Sequence, residues 1–169
     1  SDKMIRNDIV IYGAGKTWAA PILRAMRKFG FNINSRWVDV GDLPETPTES
    51  FSAFKSENKA YKRNVWDNGC KPDAVSADAM VMLCFPEDGE SHSGSLVELG
   101  HVSGQGKPVY VLGTCKSVEP VGHSNRAFMC QRNVHHFPEF TRKNFLEGFK
   151  KVVRHYQRNY KSQWSEARS

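Results

Sequence analysis

A chain of 169 residues, 39% apolar and 25% charged, has the bulk for one full-sized core and the composition of an ordinary globular domain. No run approaches the roughly 18 apolar residues of a membrane span, and the opening SDKMIRND has no apolar stretch of the signal-peptide kind, so a cytoplasmic location is expected. The net charge of +6 sits wholly in residues 141–169, which hold eight Lys/Arg against two Glu, while residues 1–140 are neutral. That basic end reads as the solvated face of a terminal helix over about 141–160. It lacks the aromatic platform that would favour nucleic acid as a partner.

Ile9–Tyr12 predicts a buried strand that runs into IYGAGKT, Ile11 to Thr17. This stretch looks like the back half of a phosphate-binding P-loop. The first glycine of that motif is missing, since Val10 stands in its place, and the turn is too short to close around a triphosphate. Thr17–Phe29 predicts a helix with Trp18, Ile22, Leu23, Met26 and Phe29 on one face, and Gly30 stops it. Phe31–Val38 alternates as a second strand should. After the turn-rich DVGDLPETPTES, residues 51–69 predict a polar helix anchored by Phe51, Phe54, Tyr61, Val65 and Trp66. Ala79–Phe85 is the third strand, followed by the loop PEDGESHSG, a short helix over Leu96–Gly104, and a fourth strand at Pro108–Leu112. Val134–Phe137 is a fifth strand, and Phe145, Leu146, Phe149, Val152, Val153 and Tyr156 form the apolar stripe of a last helix.

Strands alternating with helices imply right-handed βαβ units and one parallel sheet covered on both faces, a single α/β domain over 1–169. Ligands of such sheets sit beyond the carboxyl ends of the strands. The loops of interest are therefore GAGKT, PEDGESHSG and GTCKSVEPVGHSN. The four cysteines, at 70, 84, 115 and 130, include no C-x-x-C pair, so reduced thiols and no metal site are expected.

Behind the third strand stands GSLVELG, Gly94 to Gly100, and Ser95-x-x-Glu98 has two readings. One is a capping box that closes the start of a helix. The other is a fixed carboxylate over the ligand cleft, held ionised in the first helical turn by the helix dipole and used as a nucleophile in glycosyl transfer.

IYGAG, the VW pair at 65–66, Asp73 ahead of an Ala-Asp strand start, and GSLVELGHVSGQGKPV together resemble the nucleoside 2-deoxyribosyltransferases, over Ile9 to about Asn125. The resemblance implies a flavodoxin-like fold, a homo-oligomer, no metal or organic cofactor, and a glutamate that attacks C1′ of a deoxynucleoside before a second base replaces the first. By position, Glu98 resembles the nucleophile and Tyr12 the tyrosine that orients it; Asp73 resembles an aspartate that binds sugar or base. Asn125 resembles an asparagine lent by a neighbouring subunit. Gly13, Gly15 and Lys16, with Ser93, Gly94 and Ser95, are expected to line the substrate, Lys16 toward a 5′-phosphate if one is present.

One position departs from the pattern: six residues before the glutamate, where these enzymes place an aspartate, stands His92. An imidazole there protonates the leaving base as a general acid, or is a loop residue while Asp88 or Glu90 supplies the carboxylate. Three readings follow. The first is a deoxyribosyltransferase or a related nucleotide N-glycosidase acting on a nucleoside or nucleotide and a free base. The second is a nucleotide-binding module without catalysis, and the third a nucleic-acid binder.

Overall fold

The computed structural model describes residues 9–39, 59–86, 92–119 and 126–160. Five parallel strands, β1 (Val10–Ala14), β2 (Asn32–Ile33), β3 (Ala79–Leu83), β4 (Val109–Leu112) and β5 (Val134–Phe137), form one sheet in the order β2-β1-β3-β4-β5. Tyr12 lies opposite Met80 and Met80 opposite Val109. This order is that of the flavodoxin-like doubly wound fold, whose strand order reverses between β1 and β3. β3 and β4 are buried along their whole length, as expected of strands with both faces covered.

The helices divide between the two faces. α1 (Ala19–Lys28) and α5 (Phe145–Asn159) cover one: Leu23 of α1 meets Gly13, Gly148 of α5 meets Leu112, and Phe149 packs on Phe31 with ring centroids 5.3 Å apart. The opposite face receives α3 (Lys71–Ser76) and α4 (Ser93–Gly104). No helix among the described residues is long and apolar enough to cross a membrane.

Three expectations change. The second strand is two residues long, because the chain leaves the sheet and forms a 3-10 turn at Arg36–Asp39 with Trp37 and Val38 buried. Side chains take over from the ladder there. The Gly13 N–H donates to Ser35 Oγ (2.7 Å), and the Gly13 carbonyl accepts from Ser35 Oγ (2.9 Å) and Trp37 Nε1 (2.9 Å). The helix expected over 51–69 extends further than Gly69. Residues 51–58 lie outside the described ones; α2 (Lys59–Val65) passes through a π-helical turn at Trp66–Cys70 directly into α3. Pro72 stands directly behind the π-helical turn, as the second residue of α3. Phe29 is 55% exposed, because α1 ends one residue before it.

Candidate active site

α4 begins at Ser93, three residues earlier than Leu96, with His92 just ahead of it. His92, Ser95, Glu98, Leu99 and Val102 recur at three- and four-residue intervals and are all buried, so this is the ridge that α4 turns to the sheet. The capping box, one of the two readings of Ser95-x-x-Glu98, does not form, because Ser95 lies inside the helix and no side chain caps its start. Glu98 is the sixth residue of α4, in the second turn, where the dipole contributes little.

Burial therefore sets the state of Glu98. It raises the carboxyl to about 7 from an ordinary 4.5, and the nearby Tyr12 hydroxyl opposes the rise. Tyr12 projects from the middle of β1 onto the same side, and burial, then the Glu98 charge, pushes its phenol well above its usual value. Cys70, at the end of the π-helical turn, is the third member. Burial first and Glu98 second raise its thiol to about 12. Neither Tyr12 Oη nor Glu98 Oε2 completes a full hydrogen bond among the described residues. Leaving such an atom buried costs roughly 1–3 kcal/mol, which calls for a reason other than stability.

Asp73 stands one turn beyond Cys70 on α3, and its charge also raises that thiol. Its carboxylate is committed to Arg36. It accepts from the Arg36 backbone N–H (3.0 Å) and from Nε (3.0 and 3.1 Å), with a further 3.0 Å ion pair to the guanidinium. Asp73 thus ties α3 to the turn after β2. Sequence reasoning missed Cys70 and Arg36: Cys70 owes its place to the π-helical turn and Arg36 to the 3-10 turn that replaces the end of the second strand, neither of which carries a sequence signature.

The second half of the GSLVELGHVSGQGKPV stretch has a structural job. Gly106 takes a left-handed conformation (φ +78°) in the turn between α4 and β4. Lys107 Nζ donates to the Val75 carbonyl on α3 at 2.5 Å, and Asn133 Nδ2 holds the Ser103 and Lys107 carbonyls. Glu98 is the buried carboxylate of the stretch. The glycines of GAGKT also serve packing. A Cβ on Gly13 would lie 2.6 Å from Leu23 Cδ2, and one on Gly15 would lie 2.8 Å from Ala19 Cβ, so both let α1 lie close on β1. Lys16 is half-buried at the turn into α1, and Ser93 and Gly94 are exposed at the head of α4. Asp88, Glu90 and Asn125 lie outside the described residues.

His92 is 3% exposed and sits with two thiols. One of its ring nitrogens and the sulfurs of Cys84 and Cys115 lie within 4.8 Å of one another. A hydrogen bond from Cys84 brings the Cys115 thiol down to about 4 against the effect of burial, helped by the hydrogen bond and charge of His92. On the other face of the sheet, a cleft of about 520 Å³ is lined by Phe85, Pro86, Thr114, Phe140, Arg142 and Lys143 among others. The Arg142 guanidinium lies 4.1 Å from the Phe85 ring centre and 4.7 Å from that of Trp18. Tyr12, Cys70 and Glu98 do not line this cleft.

No family model and no curated protein matches the chain. Among solved structures it is similar to the 2-deoxyribosyltransferase of the psychrotolerant bacterium Bacillus psychrosaccharolyticus. The two share 19% identity over 79% of this chain and 93% of that one, with a TM-score of 0.48. A likeness of that degree carries no conclusion about activity.

Proposed function

We propose that the chain cleaves the N-glycosidic bond of a deoxynucleoside or deoxynucleotide and passes the 2-deoxyribosyl group to a second base through a glycosyl-Glu98 intermediate. One observation carries the reading: on the helix that follows β3, a buried carboxylate whose Oε2 completes no full hydrogen bond among the described residues stands beside the buried phenol of Tyr12 on β1. Glu98 titrates near 7 and is therefore substantially ionised at neutral pH, while Tyr12 keeps its proton and can donate to it. A desolvated carboxylate is a stronger nucleophile than a hydrated one, and the phenol fixes its direction.

In the first step a Glu98 oxygen bonds to C1′ as the C1′–N bond breaks, and the departing base takes a proton on its nitrogen. In the second step a nitrogen of the incoming base attacks C1′, loses its proton, and releases the carboxylate. Water in place of the second base makes the same site a hydrolase. His92 lies on the same face of α4, roughly 9 Å along the axis from Glu98 at 1.5 Å per residue. The proton comes from His92 or from solvent. Asp73, through Arg36, holds the sugar side of the site, and Lys16, Ser93, Gly94, Ser95 and Asn125, with the Gly13 and Gly15 backbone, complete the binding set in this proposal. No metal or organic cofactor is needed for either step, and the chain works as a homo-oligomer.

The test is chromatography of deoxynucleosides and deoxynucleotides incubated with the protein, with and without a second free base. A new nucleoside supports transfer and a free sugar supports hydrolysis; neither product favours a binding module. Glu98→Ala is expected to lose several powers of ten in rate, since no water replaces a fixed carboxylate. Residual activity above about a tenth of wild type would remove Glu98 as nucleophile.

A further inference from the structure

The parallel register dictates which side chains can meet beyond the strand ends. Tyr12, Met80 and Val109 stand in register, so alternate residues continue on that face: Met82 and then Cys84 past β3, and Val111 on β4, after which the chain turns at Gly113 (φ +87°) and brings Cys115 beside Cys84. Cys84 still belongs to the ladder, because its N–H donates to the Leu112 carbonyl at 2.9 Å. The Cys115 carbonyl accepts the N–H groups of Val118 and Glu119 (both 3.1 Å), which fixes the turn that follows. His92 is held from the third side, since its carbonyl accepts the Leu96 N–H (2.9 Å) in the first turn of α4. Two thiols and an imidazole from three rigid element ends thus converge, each residue buried.

We propose that Cys84, His92 and Cys115 form a binding site for a thiophilic divalent cation, zinc. Two sulfurs and an imidazole are the donors that soft and borderline metals select over the hard ions bound by carboxylates. Two thiolates cancel the charge of the ion, which a buried site requires; their two protons leave to solvent on binding. Ligand atoms within 4.8 Å of one another need to close by only about 1 Å to fit a tetrahedron with Zn–S near 2.3 Å and Zn–N near 2.0–2.1 Å. The fourth position goes to water or to a ligand atom at the carboxyl end of the sheet. Binding would join the ends of β3 and β4 to the head of the helix that carries Glu98. An imidazole nitrogen bound to the ion has no proton to give, so in the loaded protein the leaving base is protonated by solvent.

The test uses the full chain, reduced and stripped of metal, titrated with cobalt(II) as a spectroscopic stand-in for zinc. Its readout is independent of any turnover. We expect one equivalent to produce a thiolate-to-cobalt charge-transfer band and the intense visible bands of a tetrahedral site, both abolished by added zinc. His92→Gln and Cys115→Ser should each weaken binding by more than about tenfold, while Cys130→Ser, at an exposed cysteine, should leave the spectrum unchanged. Circular dichroism identifies a variant that does not fold, and the remaining variant then decides. The proposal is overturned if the folded wild-type protein shows no such bands, or if the bands survive both ligand substitutions. It is equally overturned if a Cys84–Cys115 disulfide forms in air with zinc present, seen as a loss of two hydrogens by mass spectrometry.

Discussion

Glu98 is where the residue scale and function conflict. Its carboxyl stands near 7 in the folded chain against 4.5 ordinarily, so between those values the folded state binds more protons than the unfolded one. Stability from this group is therefore greatest below about 4.5, falls as pH rises toward 7, and stays low above it. The difference is on the order of 3 kcal/mol. Glu98→Gln, neutral at every pH, should melt several degrees above wild type at pH 8 and close to it at pH 4.5. Paired melting curves check this, and an equal gap at both pH values would mean that burial of the charge is not what strains the site. Glu98 and Tyr12 were legible in the sequence because each stands in a motif, GSLVELG and IYGAG, beside a loop at the carboxyl end of the sheet. Cys70 was not: it lies 58 residues from Tyr12 and reaches it only through a π-helical turn. His92 reads from the sequence as a general acid or a loop residue, and nothing in the spacing of Cys84 and Cys115 places their thiols beside it. Their separation along the chain hides a proximity that only the folding of the turn after β4 and of the connection into α4 creates.

At the scale of elements, the buried strands and the two amphipathic helices declared themselves, because hydrophobic periodicity reports what a segment buries. β2 was overestimated because Trp37 and Val38 are buried by a 3-10 turn, and burial alone looks the same as strand continuation in a short apolar stretch. The glycines separate packing from propensity. Gly13→Ala would drive a methyl group into Leu23, itself fully buried in the core, and should cost roughly 1–3 kcal/mol. Gly100→Ala, in the interior of α4 with nothing among the described residues beyond its own helix backbone and chain neighbours within 4 Å of the new methyl group, should gain about 0.5–1 kcal/mol from helix propensity. Urea unfolding of both variants gives the comparison. A neutral Gly13→Ala would show that α1 can lift from β1, and a destabilising Gly100→Ala would reveal a packing partner on the outer side of α4.

The whole molecule raises the question of subunits, since α4 exposes Val97 beside Gly94 and Gly100 on its outer side. A proposed homo-oligomer in which Asn125 serves a neighbour's site makes a prediction that no single chain can satisfy. Glu98→Ala and Asn125→Ala proteins are each expected to be inactive, because every site in either homo-oligomer lacks one residue. In a mixed pair, one site receives both defects and the other receives neither. For a dimer assembled at random from equal amounts, half of the pairs are mixed and about a quarter of all sites recover both residues. Partial unfolding and refolding together, or long incubation at low concentration, supplies the exchange, and mass spectrometry of intact assemblies proves it. Recovery near that fraction of wild-type activity would establish a site shared between chains. Proven exchange with no recovery would return Asn125 to its own subunit or remove it from the site, leaving Glu98, Tyr12 and the groups around them to do the chemistry within one chain.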